Sequence, residues 1–478
     1  MGEIYIMKKI KVVDIIRECN GKLLCGDENI VCNSFSKDTR SINVGDVYFG
    51  IKGERFNGSL MYKEAFQKGA MVCIVDDVEI TDEDICDFKD KTIIKVENTV
   101  KALQSIARYK RSLYNIPVIG ITGSVGKTST KDIIASVVGK KYNVLKTEGN
   151  LNNEIGMPMT ILRLTDHEAM VLEMGTDKFG DLSLLTSIAN PNIYVFTIIG
   201  SSHIANFGSR ENILKGKLEM LETKTQGDCI IMNNDNDLLN SWIVDNKFQY
   251  INDGYNVFTY GIENKSDYTA QNVELEEFGS NYEIDVDNNN YTVKIPVGGK
   301  HFVYNSLSAI AIGKYLGINM EDIISGISEF ELTKMRMDIS KHSSNVTVIN
   351  DTYNASYESM RAGIEYLAKL NNEKKAAILG DMLELGVYSE KFHRKVGKCV
   401  AGNKVDLLIT VGNEAKYIAN EAIQNGMDKE HVIICENNAQ ACKYIKENME
   451  LHDMAILAKA SRGMKLEEIV ECIKEIVK

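Results

Sequence analysis

The segment Ile119-Gly120-Ile121-Thr122-Gly123-Ser124-Val125-Gly126-Lys127-Thr128-Ser129-Thr130 constrains this chain more than any other. An apolar strand, Ile116 to Ile121, runs into a glycine-containing turn. A lysine and a run of hydroxyl residues then open a helix that continues through Ile133, Ile134 and Val137. Backbone N–H groups of such a turn, together with the helix N-terminus, form a cradle for phosphate oxygens. In this reading Gly123, Ser124, Val125, Gly126 and Ser129 line the cradle, Lys127 reaches the terminal phosphates, and Thr128 offers its hydroxyl to Mg²⁺. The usual first glycine of the Gly-x-x-x-x-Gly-Lys-Ser/Thr loop falls on Ile121, so the loop is a shortened variant. The alternative is a glycine turn with a chance Lys-Thr. The strand before it and the helix after it weigh against that.

At 478 residues the chain has room for roughly three domains of about 150 residues each. A net charge of −12 argues against a nucleic-acid partner, so an anionic ligand must find local positive charge in lysine, arginine, Mg²⁺ and helix N-termini. The ten cysteines include no Cys-x-x-Cys pair and scatter among apolar segments such as Val72-Cys73-Ile74. That usage predicts reduced, mostly buried thiols without a disulfide framework or zinc site. No apolar run approaches the ~18 residues that span a membrane, and Met1-Gly2-Glu3-Ile4-Tyr5-Ile6 carries no signal-peptide core. The expectation is a cytoplasmic protein with no stable membrane insertion, acting as a monomer.

The pattern is α/β throughout. Short apolar strands in the first hundred residues (46–51, 71–75, 92–96) precede a helix from about Thr99 to Leu113. Strands then recur at Val118–Ile121, Ala169–Glu173, Ile193–Ile199 and Cys229–Asn233, which predicts a parallel sheet. Alternating Tyr282, Ile284, Val286 and Tyr291, Val293, Ile295 flank the Asp287-Asn288-Asn289-Asn290 turn and predict an appended hairpin, followed by a helix from Tyr304 to Leu316. Further strands at 346–349, 376–379, 407–411, 432–435 and 454–457 predict a third, Rossmann-like sheet that lacks a Gly-x-Gly-x-x-Gly nicotinamide site. The expected architecture is a small N-terminal α/β domain (1–100), a central P-loop-type ATPase domain with a mostly parallel sheet (101–330) and a C-terminal Rossmann-like domain (331–478).

Glu173 and His203 stand at the C-terminal ends of neighbouring predicted strands, where open α/β sheets bind ligands. Taken singly, Glu173 is as readily a loop carboxylate and His203 a structural histidine. Together, beside a phosphate loop, they make a candidate Mg²⁺ pair, although Mg²⁺ prefers oxygen ligands.

The phosphate loop resembles the ATP loop of the Mur ligases, the amide ligases of peptidoglycan-precursor synthesis. Four further segments resemble the branch that adds D-alanyl-D-alanine. They are Thr147-Glu148-Gly149-Asn150-Leu151-Asn152-Asn153-Glu154-Ile155-Gly156-Met157-Pro158, Asn350-Asp351-Thr352-Tyr353-Asn354-Ala355-Ser356, Leu379-Gly380-Asp381-Met382-Leu383-Glu384-Leu385-Gly386 and Lys459-Ala460-Ser461-Arg462-Gly463-Met464. The similarity spans essentially the whole chain. Departures are Ser356-Tyr357 where Asn-Pro is usual, Phe302 for an asparagine, and Phe56-Asn57-Gly58-Ser59 for an Asp-Gly-His version.

The resemblance implies ATP and Mg²⁺ as cofactors, with a UDP-N-acetylmuramoyl-tripeptide and D-alanyl-D-alanine as substrates. It places Ser36, Thr39 and Arg40 on the uridine nucleotide, Asn152 and Asn153 on the sugar-peptide, His301 and Asn305 on the adenine side, and Arg336 and Asp351 on the ATP phosphates and ribose. On local grounds alone these would be a polar turn, helix caps and residues opening a helix. Lys217 aligns with the lysine that Mur ligases carbamylate to help bind a second Mg²⁺; a solvated helix lysine is the alternative, and Lys215 the neighbouring choice. The expected catalytic set is therefore Lys127, Glu173, His203 and Lys217, with Thr128, Glu173, His203 and Lys217 on metal. Rival readings are a related ligase that adds glutamate to folate, and an ATP-binding regulator without turnover.

Overall fold

The computed structural model describes residues 8–54 and 56–477. The opening segment read for a signal peptide, Met1 to Ile6, lies outside the described residues.

Three main sheets follow one another along the chain. The first has five strands, in the order Lys22–Cys25, Thr92–Lys95, Val72–Val75, Val47–Phe49 and Phe35–Ser36. Its first pair is antiparallel and the rest are parallel. The helix Thr99–Ser112 leaves this sheet and packs on Val12–Cys19 on one side and on Gly156–Ile161 and Asp181–Ala189 on the other, so it is shared between the first two layers.

The second sheet has nine strands, and the strand carrying the phosphate loop, Val118–Thr122, lies within it between Ile193–Phe196 and Ala169–Glu173. All five of its residues are buried. This explains the unbroken apolar run, since a strand covered on both faces has no solvent side to alternate with. Ile119 and Ile121 are fully buried, contributing about 2 kcal/mol each from apolar burial. The order reverses here: the chain runs to Val144–Lys146 and Ala169–Glu173 on one side, then to Ile193–Phe196, Cys229–Asn233 and Asn256–Gly261 on the other. A crevice beyond the strand ends opens where the order reverses. Register fixes what faces it, for Glu173 and Val195 both lie opposite Ile121.

The hairpin Ser280–Val286 and Asn289–Ile295 is present and antiparallel. It joins the sheet through Tyr268–Leu275, which the sequence pattern did not single out. That strand alternates weakly, and a register shift between Gln271 and Glu274, with Asn272 at φ 49°, interrupts its period. The helix expected from Tyr304 begins at Lys300, and the strand expected to reach Ile199 ends at Phe196, with Ile198 continuing only as an isolated bridge to Val125.

The third sheet has six strands, with Val346–Asn350, Met454–Lys459, Lys374–Gly380, Leu407–Val411 and Val432–Cys435 parallel and adjacent in that order. An antiparallel edge strand, Asp338–His342, completes it. Its polar sequence hid it from a hydrophobic pattern. All ten cysteines are free: five are buried, four half-buried, and Cys86 is exposed. Among the described residues no helix is long and apolar enough to cross a membrane.

Candidate functional site

The phosphate loop is clamped by the segment that follows the strand beside it, Ile193–Phe196. Ser124 N–H donates to Ile198 O at 2.6 Å, Thr197 Oγ1 to Val125 O at 2.6 Å, and Ser202 Oγ to Ser124 O at 3.1 Å. Gly123 sits at φ 153°, and a Cβ there would fall 1.9 Å from Thr197 Oγ1. Gly123→Ala is therefore expected to displace either the loop or Thr197. Nucleotide affinity, read by titration calorimetry with ADP, should fall by about tenfold or more, an effect of ~1.4 kcal/mol; unchanged affinity would show that the loop relaxes freely.

Lys127 opens the helix Lys127–Val138 and folds back, its Nζ donating to Gly123 O at 2.9 Å. Loss of hydration lowers its pKa, with Glu173 opposing and Arg336 assisting. Thr128 is buried, and its Oγ1 accepts from Arg336 Nη2 at 3.2 Å. Arg336 comes from the segment leading into the third sheet, and its guanidinium lies 4.1 Å above the ring of Tyr353.

Glu173 is 3% exposed at the end of its strand. One carboxylate oxygen accepts from Asn152 Nδ2 at 2.8 Å, while Oε2 has no partner. A buried anionic oxygen without a donor suits a hard cation that takes oxygen ligands, as does the neighbouring hydroxyl of Thr128. Asn153 plays a different part: its Oδ1 accepts from the N–H groups of Ile155 and Gly156, capping the next helix.

Lys217 lies in the helix Arg210–Leu218 and is 2% exposed, whereas Lys215 is exposed. Burial, reinforced by the charge of Lys127 and opposed by Asp177, pushes its ammonium well below the usual lysine range. Asp177 thus acts electrostatically on both lysines. It also contacts His203, whose Nδ1 stands 3.2 Å from Asp177 Oδ1 and 2.8 Å from Glu384 Oε2. These are ion-pair contacts without the alignment of a hydrogen bond. Among the described residues no cluster of three or more His, Cys, Asp or Glu forms a ready metal cage. Oxygen ligands on any cation here must therefore include the Thr128 hydroxyl and groups brought by the ligand.

Beyond the loop a cavity of ≈460 Å³ is lined by residues of the central and third sheets, among them Gly126, His301, Phe302, Arg336, Asp351 and Lys459. That is within the range of a small-molecule site. His301 and Asn305 are one helical turn apart on the same face of Lys300–Tyr315. Asn305 Oδ1 lies 3.4 Å from where a Cβ on Gly126 would stand. His301 stacks on Phe302 with centroids 4.3 Å apart, and burial pulls its pKa down to about 4. Asp351 and Lys459, at the ends of adjacent parallel strands, form a buried pair at 2.6 Å. Lys459 also donates to Asn354 O at 2.9 Å.

The remaining trio lies elsewhere. Ser36, Thr39 and Arg40 form a turn at the edge strand of the first sheet. The hydrogen bonds of Ser36 and Arg40 stay within that turn, with Arg40 Nη2 2.6 Å from Asp38 Oδ2 and its side chain 86% exposed. Asp177 and Tyr353 belong to the cleft and were not picked out as functional from sequence. Asp177 follows a strand end by a short loop, which is the only signal that would have marked it.

Ten buried side-chain polar atoms lack a hydrogen-bond partner among the described residues; one, His203 Nδ1, faces the Asp177 and Glu384 carboxylates, and five others belong to this one region: Ser124 Oγ, Thr130 Oγ1, Glu173 Oε2, Asn305 Nδ2 and Arg336 Nε. Buried polar atoms are rarely left unpaired, so their convergence marks a place where a polar ligand completes the hydrogen bonding.

Comparison with known proteins agrees with this cleft. A family model described as Mur ligase middle domain matches residues 121–313, and one described as Mur ligase, glutamate ligase domain, matches residues 335–462. The chain is 38% identical over 451 residues to the UDP-N-acetylmuramoyl-tripeptide–D-alanyl-D-alanine ligase of Bacillus subtilis (strain 168), covering 94% of each. It is similar in structure to MurF from Acinetobacter baumannii, with a TM-score of 0.86 at 26% identity, covering 98% of this chain and 99% of that one. Similarity to MurF ligase from Thermotoga maritima, solved in complex with ADP, gives a TM-score of 0.79 at 26% identity, covering 93% and 98%. With family models on both its second and third sheets and a relative matched along almost its whole length, the chain belongs to the Mur ligase family.

Proposed function

We propose that this chain joins D-alanyl-D-alanine to UDP-N-acetylmuramoyl-tripeptide, converting ATP to ADP and phosphate. The observation that carries the reading is the convergence of unpaired buried polar atoms on the phosphate loop, in a chain that matches a ligase of that name along 94% of its length.

The chemistry needs no protein nucleophile. The terminal carboxylate of the tripeptide attacks the γ-phosphorus of ATP, giving an acyl phosphate and ADP. The amine of D-alanyl-D-alanine then adds to the acyl carbon, and the tetrahedral intermediate expels phosphate. Lys127 and Arg336 stand where negative charge grows, and the loop's backbone N–H groups other than that of Ser124, which is bonded to Ile198 O, face the phosphates, so catalysis is positioning and electrostatics. Thr128 Oγ1 and Glu173 would hold Mg²⁺, with His203 completing the set. The cation supplies neutralisation of the phosphate charge when bound. Lys217 fits a metal only as a carbamate. Burial disfavours its ammonium, and the neutral amine is the form that adds to CO₂, releasing a proton and turning a poor neighbour for a cation into an anionic oxygen ligand.

We assign the UDP substrate to residues 1–100, through Ser36, Thr39 and Arg40, with Asn152 and Asn153 at the boundary of its sugar-peptide part. ATP belongs to 101–330, with His301 and Asn305 among its residues, and to Arg336 and Asp351 across the cleft. Residues 331–478 close over the nucleotide, which keeps water from the acyl phosphate. We assign the enzyme to the cytoplasm, acting as a monomer; among the described residues no helix is long and apolar enough to cross a membrane.

Phosphate release tests the substrate choice. It should require a UDP-linked muramoyl tripeptide and rise at least tenfold on adding D-alanyl-D-alanine, about 1.4 kcal/mol or more. Folate with glutamate should give nothing. Equal release with folate would replace this reading by the glutamate-adding branch, and no release with any acceptor would favour a regulator.

A further inference from the structure

Two non-glycine residues in the left-handed backbone region meet across the gap between the central and third sheets: His203 at φ 61° and Glu384 at φ 65°. Histidine is among the side chains enriched in this region, but glutamate is not, and Glu384 costs roughly 1–2 kcal/mol there. Such strain persists where surrounding structure holds it, and it gathers at functional sites.

Glu384 is presented by a loop anchored firmly to its own sheet. Asp381 Oδ1 accepts from the N–H groups of Glu414 and Ala415 at 3.0 and 2.7 Å. Met382 N–H donates to His393 Nε2 at 3.0 Å, and Leu383 N–H to Ser461 Oγ at 2.9 Å. The same loop touches the central unit again where Tyr388 OH donates to Gly208 O at 2.8 Å. Glu384 Oε2 reaches His203 Nδ1 at 2.8 Å, and His203 holds the Glu384 carboxyl below its usual pKa. The Glu384 side chain is 63% exposed, so as an ion pair alone it adds at most ~1 kcal/mol of stability. Stability does not account for the strain at Glu384.

We propose that Glu384 is a positioning residue for His203, completing a carboxylate–histidine–metal arrangement whose outer carboxylate comes from the third domain. This rests on the reading of His203 as a ligand of the catalytic cation. A carboxylate at Nδ1 favours the proton there and leaves the Nε2 lone pair free, the form in which histidine binds a metal. Asp177 contacts the same nitrogen from the central unit, so only the Glu384 half depends on docking of the third domain. Closure over the nucleotide and orientation of the metal ligand become one event.

The test titrates Mn²⁺, which accepts imidazole more readily than Mg²⁺, into the full chain with saturating ADP, with free Mn²⁺ read by electron paramagnetic resonance. His203→Ala and Glu384→Ala should each weaken Mn²⁺ binding by about tenfold, the low end for loss of a ligand's supporting group. Glu384→Gln, which keeps an oxygen beside Nδ1 without the charge, should stay closer to the parent than Glu384→Ala. Tyr388→Phe, which removes an inter-domain hydrogen bond without touching His203, should leave Mn²⁺ affinity unchanged. If His203→Ala weakens binding and Glu384→Ala does not, the positioning role is overturned while the metal reading stands. If His203→Ala has no effect, the metal reading fails and the proposal with it. Equal losses in Tyr388→Phe and Glu384→Ala would reduce Glu384 to one docking contact among several.

Discussion

Lys127→Ala is expected to lower phosphate release by about a hundredfold or more while leaving the fold intact. The size follows from losing one charged donor aimed at a transferring phosphoryl group, a loss of roughly 3–4 kcal/mol in the transition state. The fold should survive because Lys127 donates only to Gly123 O in its own loop, and burial already penalises its charged form. Removing it relieves that cost and deletes no apolar contact of the core. Circular dichroism melts should therefore superpose within a few degrees. A variant that melts normally and turns over at near the parent rate would remove the phosphate loop from the mechanism.

The second large effect belongs to Lys217. Its burial excludes a solvated helix lysine, and the neighbouring Lys127 makes a second positive charge at this position unfavourable. A carbamate reverses that sign. Lys217→Ala should then cut activity by about a hundredfold or more, because an anion is lost beside growing negative charge that needs its cation held in place. Formate or acetate should restore part of the rate by occupying the vacated space with a carboxylate. Lys215→Ala is the matched control: its side chain is exposed, and removal should change stability by no more than about 0.5 kcal/mol and leave turnover nearly untouched. Turnover measured with and without the added carboxylate decides between them. Rescue of Lys215→Ala instead would shift the assignment by two positions, to the exposed Lys215 on the same helix, and full activity in Lys217→Ala would discard the carbamate.

The phosphate loop could be read from the sequence because its signature is local. Strand, turn glycines, lysine and helix are contiguous, whereas the steric demand at Gly123 comes from Thr197, which only the tertiary structure brings there. The central strands were legible for the same reason: burial on both faces leaves unbroken apolar runs such as Val118–Thr122 and Cys229–Asn233. Legibility failed where burial is partial or the ladder irregular. Asp338–His342 and Tyr268–Leu275 are half-exposed or irregular, so solvent and a register shift erase the period that would reveal them.

Sequence also pointed to Glu173 and His203 as residues at strand ends, and, through the resemblance to the family, to Lys217, Arg336 and Asp351. How they meet was decided by tertiary structure. Arg336 reaches Thr128 across 208 positions. Lys459 pairs with Asp351 across 108. Asp177 gathers Lys127, Lys217 and His203, and Glu384 approaches His203 from another sheet. The turn of Ser36 to Arg40, by contrast, keeps to itself. Hydrophobic period and turn chemistry determine local elements because they act within a few residues. The order of strands in a sheet and the docking of one sheet's loops on another decide which polar groups share a cleft, and those depend on packing between segments that no local pattern relates.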